Sequence, residues 1–97
     1  MPTYVILGKF TEQGIRNIKE SPKREEVFRK LCEKMGAKVK DVYRTMGRYD
    51  VAAIIEAPDD VAMSAIAYSL GSAGNVRTET LRAFTRQETD TALNKMA

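Results

Sequence analysis

The segment 3–10 constrains the fold more than any other, because it is rich in β-branched and aromatic residues and is apolar at both odd and even positions. Such a run predicts a strand that is buried on both faces and lies in the middle of a sheet. A chain of 97 residues holds one domain with one modest core. We therefore expect a single domain over residues 1–97, in which both sides of this strand are covered.

The next part of the chain predicts two helical segments. Thr11 is a candidate N-cap for a short helical turn, and Ser21-Pro22 has the form of an N-cap followed by proline in the first turn. Apolar residues recur at helical spacing over residues 27–35, and Gly36 is a suitable stop. Cys32 belongs to this apolar stripe, so it is interpreted as a small buried hydrophobe rather than a reactive thiol.

A hairpin, a helix, a strand and a last helix follow. Residues 39–46 and 49–56 predict two strands that are joined by a two-residue type II′ turn at Gly47-Arg48. Asp59 is the expected N-cap of a helix over residues 60–73, and residues 76–84 predict a further strand. Thr85 and Glu88 fit a capping box that begins a short last helix.

The order β-α-β-β-α-β plus a terminal helix predicts an α+β, ferredoxin-like fold, which is an antiparallel sheet with helices on one face. In this arrangement strands 1 and 3 are central, and strand 2 lies at an edge. Lys38, Lys40 and Arg44 on strand 2 are interpreted as charges that prevent this edge from pairing with another sheet.

The predicted turn also sorts the residues of strands 2 and 3 between the two sheet faces. The more apolar set is expected to face the helices, and the other set is mixed. The first set holds the pairs Met46 with Tyr49, Arg44 with Val51 and Val42 with Ala53, and the second holds Thr45 with Asp50, Tyr43 with Ala52 and Asp41 with Ile54. An apolar sheet face left open to water is unfavourable. We therefore expect a homodimer in which two subunits stack sheet against sheet.

Composition excludes several chemistries. The chain has no histidine and a single cysteine, which excludes Ser–His or Cys–His catalysis, histidine-ligated zinc or haem, and an intrachain disulfide. Asp59 and Asp60 have no third ligand nearby in the sequence, so no metal site is predicted. No cofactor is expected either. No apolar run is long enough to span a membrane, and residues 1–9 lack the pattern of a signal peptide. No membrane contact is expected, and the predicted location is cytoplasmic.

Nucleic acid is not an expected partner. Acidic residues alternate with the basic ones over residues 19–34, which indicates an exposed helix face rather than a nucleic-acid surface. The predicted order of elements also occurs in RNA-recognition domains. However, the strand over residues 49–55 lacks the basic, glycine and paired aromatic residues that stack RNA bases.

Five segments spread over the chain form a set in a fixed order. They read MPTYVILG (1–8), GIRNIK (14–19), GRYD (47–50), EAPDD (56–60) and GNVRTETLRAFT (74–85). Together they resemble the bacterial GYD domain family, although Arg48 interrupts the Gly-Tyr-Asp triplet that names the family. The resemblance implies a dimeric α+β barrel, in which ferredoxin-like subunits pair through their sheets. Relatives of this broad fold include cofactor-independent monooxygenases, small-molecule isomerases and amino-acid-sensing modules, and fold alone does not choose among them.

Asp50 and Tyr43 are candidate catalytic residues, because both fall on the mixed face, one residue pair apart. A carboxylate and a phenol beside an apolar cavity serve as general base and hydrogen-bond donor for an enolisable or phenolic substrate. Tyr49 is a second candidate donor. The structural alternative is that Asp50 caps the hairpin end and Tyr43 packs at the dimer interface.

Tyr4, Arg77, Glu79 and Arg82 are candidate ligand-binding residues. Arginine offers a planar fork that suits a carboxylate, and a tyrosine can present its hydroxyl to a cavity. The alternatives are an ion pair between Arg77 and Glu79, dimer contacts for the three charged residues, and a core position for Tyr4.

Two functions fit these residues. The first is a homodimer that binds or turns over a small, aromatic or enolisable molecule in a cavity without a cofactor. The alternative is a non-catalytic assembly or sensing module, in which the mixed face serves only to pair subunits. An enclosed pocket with inward polar groups distinguishes the first from the second.

Overall fold

The computed structural model describes all 97 residues. Its elements are β1 (Thr3–Phe10), α1 (Glu12–Arg16), α2 (Ser21–Lys34), β2 (Lys38–Arg44), β3 (Val51–Glu56), α3 (Asp60–Ser72), β4 (Val76–Ala83) and α4 (Arg86–Asn94). A 3₁₀ turn over Ile18–Glu20 joins α1 to α2. The strands form one antiparallel sheet in the order β2-β3-β1-β4, with α2 and α3 on one face. The ferredoxin-like prediction is confirmed, including the edge position of β2. None of the helices has the length and apolar character that a membrane span requires.

Three of the predicted helix caps are confirmed. Side-chain oxygens of Thr11 and Asp59 accept hydrogen bonds from the backbone N–H groups of Gly14 (3.1 Å) and Ala62 (2.8 Å). Thr85 and Glu88 form the predicted capping box of α4. Each cap satisfies an amide that has no partner within its helix.

The cap predicted at Ser21 is wrong. α2 begins at Ser21 itself, and its N-cap residue, Glu20, makes no side-chain capping bond. Ser21 Oγ instead accepts a hydrogen bond from Arg44 Nε at 2.9 Å. This serine therefore joins α2 to the edge strand, which a reading of local sequence does not reveal.

The β2–β3 hairpin has the predicted register but shorter strands. The four pairs from Asp41–Ile54 to Arg44–Val51 are the predicted ones. The strands stop two residues short of the predicted turn on each side, so residues 45–50 form a longer loop. Thr45 N donates to Asp50 O at 2.9 Å, and no backbone bond closes Met46 to Tyr49. Gly47 has the positive φ, 100°, for which glycine was expected at the turn.

Cross-strand pairing divides the sheet into two faces, because directly opposed residues point to the same side. The helix face carries residues that are buried under α2 and α3, including Tyr4, Ile6, Ala53 and Ile55. The open face is the other side, with the central residues Val5, Leu7, Ala52, Ile54 and Leu81. No helix of the chain is packed on the open face in the way α2 and α3 cover the helix face.

The core lies between the helix face and the two long helices. Its members are Tyr4, Ile6, Phe28, Cys32, Ala53, Ile55, Ala57, Met63 and Ile66. α4, by contrast, extends away from the end of β4 and buries none of its residues. Phe84, Leu93 and Met96 are exposed along this extension, and the molecule is 50 Å long.

Candidate functional site

A cavity of about 390 Å³ lies between the helix face and the helices. The core fills one end of this layer, around Ile55 and Ile66. The cavity occupies the other end, where the first half of α2 and the last turn of α3 face the sheet. Its volume falls at the lower end of the range for small-molecule sites.

Gly8 forms part of the cavity floor. A Cβ atom at this position would lie 2.9 Å from Val76 Cγ2 and 3.5 Å from Val51 Cβ. Because those side chains are short and attached to neighbouring strands, they cannot yield freely. Glycine therefore keeps this part of the helix face open, where β1 otherwise presents large apolar side chains.

Arg44 closes one side of the cavity. Its Nε and Nη2 donate to the hydroxyl (2.9 Å) and carbonyl (3.2 Å) oxygens of Ser21, and its Nη1 donates to Glu25 Oε1 at 2.9 Å. Burial acts to raise the pKa of Glu25, but hydrogen bonds from Arg44 and Arg29 outweigh it and hold that pKa below its usual value. The interpretation of Arg44 as an edge-protecting charge is wrong, because its side chain is directed to α2.

Arg24 is a second guanidinium at the cavity, and it has no acidic partner. Its Nη1 and Nη2 donate to the carbonyl oxygens of Asn17 and Gly14, each at 3.2 Å. Its Cζ atom lies 5.7 Å from the centre of the Phe10 ring. None of the six ion pairs in the structure includes Arg24. The side chain is thus held in place while its charge remains uncompensated.

Asp50 is the last residue of the loop before β3, and its backbone and side chain both bind β1. Its N–H donates to Gly8 O at 2.8 Å, and its Oδ2 accepts from Phe10 N at 2.9 Å. The side chain of Asp50 therefore has a structural partner, although this partner is an amide of β1 and not the hairpin end that the structural alternative named. Tyr43 lies opposite Ala52 on the open face, 54% exposed, and makes no hydrogen bond to Asp50. The catalytic roles of Asp50, Tyr43 and Tyr49 stay predictions.

Tyr49 and Glu79 are brought together on the open face, so the prediction that Tyr49 pairs with Met46 in the set facing the helices is wrong. The Tyr49 hydroxyl donates to Glu79 Oε2 at 2.5 Å, and this hydrogen bond raises the pKa of Tyr49. Arg77 has the same parity as Glu79 but forms no ion pair with it, so the predicted Arg77–Glu79 pair is absent. The loop that follows β2 thereby reaches across the sheet to β4.

Tyr4 and Arg82 are brought together on the helix face, where they are directly opposed. The Tyr4 hydroxyl donates to Asp60 Oδ1, and burial followed by this bond raises the pKa of Tyr4 to about 12. Arg82 Cζ lies 5.9 Å from the Tyr4 ring centre and 4.5 Å from that of Phe84, and Arg82 pairs with Glu88 at 3.0 Å. Tyr4 thus has a core position, which was the alternative to a cavity-lining role.

The predicted site residues therefore separate into groups that do not meet. Tyr43, Tyr49, Arg77 and Glu79 lie on or beside the open face, and Tyr4 and Arg82 lie on the helix face. None of the predicted site residues lines the cavity.

The polar residues that do line the cavity were missed by sequence reasoning, although two signals for them exist. Arg24, Phe28 and Leu31 are spaced as i, i+4 and i+7, which places the arginine on the apolar stripe of α2. Thr78 opposes Gly8 and therefore has helix-face parity, which places it in the cavity lining.

The interpretation of Cys32 as a buried hydrophobe is confirmed. Its side chain is fully buried in the core, and burial raises the pKa of its thiol to about 11. Because the thiolate is the reactive form, this cysteine is poorly suited to nucleophilic chemistry at neutral pH.

The open face combines an apolar centre with a charged rim. Ile54, Val5 and Leu81 form one continuous row across β3, β1 and β4. Lys9 and Arg77 oppose each other at one end of the face, and Glu56 lies at the opposite end of the paired strands. A patch that carries both signs of charge can be complementary to a second copy of itself.

Comparison with known proteins confirms the resemblance that the sequence motifs indicated. Residues 4–93 match the GYD domain model. A protein of Thermus thermophilus called "Glutamine synthetase and cystathionine beta-lyase binding protein" is 33% identical over 84 residues, which cover 86% of this chain and 88% of the relative.

Proposed function

This chain belongs to the GYD domain family, and on that premise we propose that it is a cytoplasmic, homodimeric protein-binding module whose partners are metabolic enzymes. Similarity to a protein named for binding two enzymes, over most of both chains, is the observation that carries the proposal. Glutamine synthetase and cystathionine beta-lyase are the first candidate partners. The function is thus of the assembly class rather than the catalytic class.

The open face supports the homodimer. Its central row of Ile54, Val5 and Leu81 is continuous, and Leu81 is 45% exposed in the isolated subunit. Large apolar patches on soluble proteins mark interaction surfaces. Charges of both signs at the rim fit a twofold contact, in which the same patch is used by each subunit. A second copy of this chain is the occupant we propose.

α4 does not pack on the core of its own subunit and so is available to contact another protein. Leu93 is 56% exposed, Met96 is 71% exposed, and neither packs on the core. The capping box at Thr85 defines where this helix begins, and Leu93 is the one large apolar residue within it. We propose α4 as the enzyme-binding element, with the contact made by Leu93 near its C-terminal end.

Sedimentation velocity with purified enzymes tests this function. Glutamine synthetase and cystathionine beta-lyase from the same organism are each mixed with the protein at micromolar concentration. We expect at least one enzyme to sediment faster in the mixture and Leu93→Glu to abolish the shift. Thr91→Glu, a neighbouring exposed change in α4, is the matched control and should leave the shift in place. Unchanged sedimentation of both enzymes would contradict the proposal.

A second function, the binding of a small molecule without a cofactor, is favoured by the cavity and its uncompensated Arg24. The predicted catalytic set of Asp50, Tyr43 and Tyr49 does not line this space, so we propose binding rather than turnover there. Native mass spectrometry tests for an occupant. An additional small mass that is lost on denaturation would support this function.

A further inference from the structure

We infer that the cavity binds a small apolar molecule that carries a single carboxylate, which Arg24 holds at the cavity mouth. This inference rests on the second function proposed above and names the class of its ligand. Binding of such a ligand requires apolar cavity walls, an available cationic hydrogen-bond donor and a local excess of positive charge.

The walls of the cavity specify an apolar body for the ligand. Ile6 and Val76 contribute from the sheet, Phe28 and Leu31 from α2, and Leu70 from α3. A buried polar group would lose its hydrogen bonds to water against such walls, which disfavours sugars and other highly polar ligands. A volume of about 390 Å³ accommodates a compact aromatic or branched aliphatic group.

Arg24 supplies the available donor. Two of its nitrogens each use one N–H on the carbonyl oxygens of Gly14 and Asn17. A guanidinium has five N–H groups, so three remain for a ligand. The Phe10 ring and the two carbonyls hold the side chain in place before a ligand arrives. A planar guanidinium of this kind matches the two oxygens of a carboxylate.

The charges around the mouth favour a single negative charge on the ligand. Lys23, Arg24 and Arg44 are basic lining residues, and Glu20 and Glu25 are acidic ones. Glu25 is satisfied by Arg44, so it does not compete for Arg24. The lining carries one positive charge in excess, which one carboxylate neutralises.

Thr78 is a second polar residue in the cavity lining, on β4 opposite Gly8. A hydroxyl can both donate and accept, so Thr78 adds a hydrogen bond without adding charge. Arg24 therefore determines the charge preference, and Thr78 influences only how the ligand is oriented.

Calorimetric titration with 2-naphthoate and its neutral analogue 2-naphthamide tests the inference. The two probes have the same apolar body and differ at the carboxylate. We expect naphthoate to bind at least about tenfold more tightly than naphthamide, because only naphthoate forms a charge-assisted pair with Arg24. Arg24→Gln should remove this difference and leave the weak binding of naphthamide unchanged. Arg24→Lys should retain part of the preference.

Two control variants locate the binding. Lys30→Gln removes one positive charge from the exposed part of α2, outside the cavity, and should leave both affinities unchanged. Thr78→Phe fills the cavity from β4 and should abolish binding of both probes, while the far-ultraviolet circular dichroism spectrum shows that the fold is retained.

The outcomes separate the inference from the function on which it rests. Equal naphthoate binding by the wild type and Arg24→Gln would overturn the role of Arg24 while leaving the cavity as a binding site. If either probe still binds to Thr78→Phe, the binding site lies elsewhere. This result would overturn both the inference about Arg24 and the proposed small-molecule function of the cavity. If neither probe shows saturable binding to the wild type, the inference and the small-molecule function are likewise overturned.

Discussion

The two faces of the sheet are built from alternate residues of the same strands, yet they are completed in different ways. The helix face is covered by α2 and α3 and is linked to them by polar contacts such as Tyr4 with Asp60 and Arg44 with Ser21. The open face has a comparable apolar centre but no covering element from its own chain. One face thus stabilises the subunit, and the other is available for a second subunit.

This difference explains why β1 carries apolar residues on both its helix face and its open face. A strand that served only a two-layer subunit would alternate apolar and polar residues. In β1, Tyr4 and Ile6 are buried beneath the helices, while Val5 and Leu7 lie on the open face. The apolar residues on both faces of β1 therefore fit two contacts of the sheet: one with α2 and α3 of the same chain, and one with the proposed second subunit.

Alanine substitution of the two neighbouring isoleucines in β3 should give the largest difference in stability effects between the faces. Ile55 is fully buried, so Ile55→Ala should lower the free energy of unfolding by about 2–5 kcal/mol. Ile54 lies on the open face, so Ile54→Ala should act mainly by weakening subunit pairing. Urea denaturation at several protein concentrations measures both. We expect the loss of stability relative to the wild type to depend on protein concentration only for Ile54→Ala. The same concentration dependence in both variants would contradict the difference between the two faces.

Removal of the Tyr4 hydroxyl tests the polar link on the helix face. Tyr4→Phe should lower the free energy of unfolding at pH 7 by about 1 kcal/mol, the value of one hydrogen bond. The pKa of Tyr4 is raised to about 12, so the folded state holds this proton more tightly than the unfolded state. The wild type should therefore lose stability by up to about 1.4 kcal/mol per pH unit as the pH rises from about 10 to 12.

The matching measurement is chemical denaturation of wild type and Tyr4→Phe over that alkaline range. We expect the difference in stability between them to shrink and then to change sign as the pH rises, because the variant has no phenol at this position. Parallel profiles would show that Tyr4 does not contribute to the alkaline loss.

The ion pair of Glu25 with Arg44 gives a smaller effect, because both groups are partly exposed and solvent screens them. Glu25→Gln should lower the free energy of unfolding at pH 7 by about 0.5–1 kcal/mol. The pKa of Glu25 is lowered in the folded state, so its contribution is present above the ordinary glutamate pKa and is lost as the pH falls below it.

Acid denaturation profiles of wild type and Glu25→Gln measure this contribution. The two curves should converge as the pH decreases below about 4. Curves that keep a constant separation would assign the loss to the packing of the side chain rather than to its charge. Arg86→Gln, which breaks an exposed pair with Asp90 in α4, is the surface control and should change little.

The sequence predicts the fold well because local signals and hydrophobic pattern agree along most of the chain. The bounds of β1, the caps at Thr11, Asp59 and Thr85, and the register of the hairpin all depend on neighbouring residues. Ser21 is an exception, since its partner Arg44 is distant in sequence and tertiary contact overrides the local capping preference.

The candidate site was less predictable because it depends on how far apart the elements lie. The sequence shows that Arg44 and Thr78 have helix-face parity, but it does not show that α2 and α3 leave a space beside them. Tyr49 meets Glu79 across β1 from the loop over residues 45–50, which is longer than the predicted turn. Distances between elements, rather than residue types, therefore limited the prediction.

Sedimentation equilibrium of Leu81→Arg against Thr80→Arg tests the central claim that the open face pairs two subunits. Leu81 lies on the open face and Thr80 on the opposite side of the same strand, and both are exposed in the subunit. The account predicts that the wild type and Thr80→Arg sediment as dimers, and that Leu81→Arg sediments as a folded monomer. A monomeric wild type, or a Leu81→Arg variant that remains a dimer, would contradict the account.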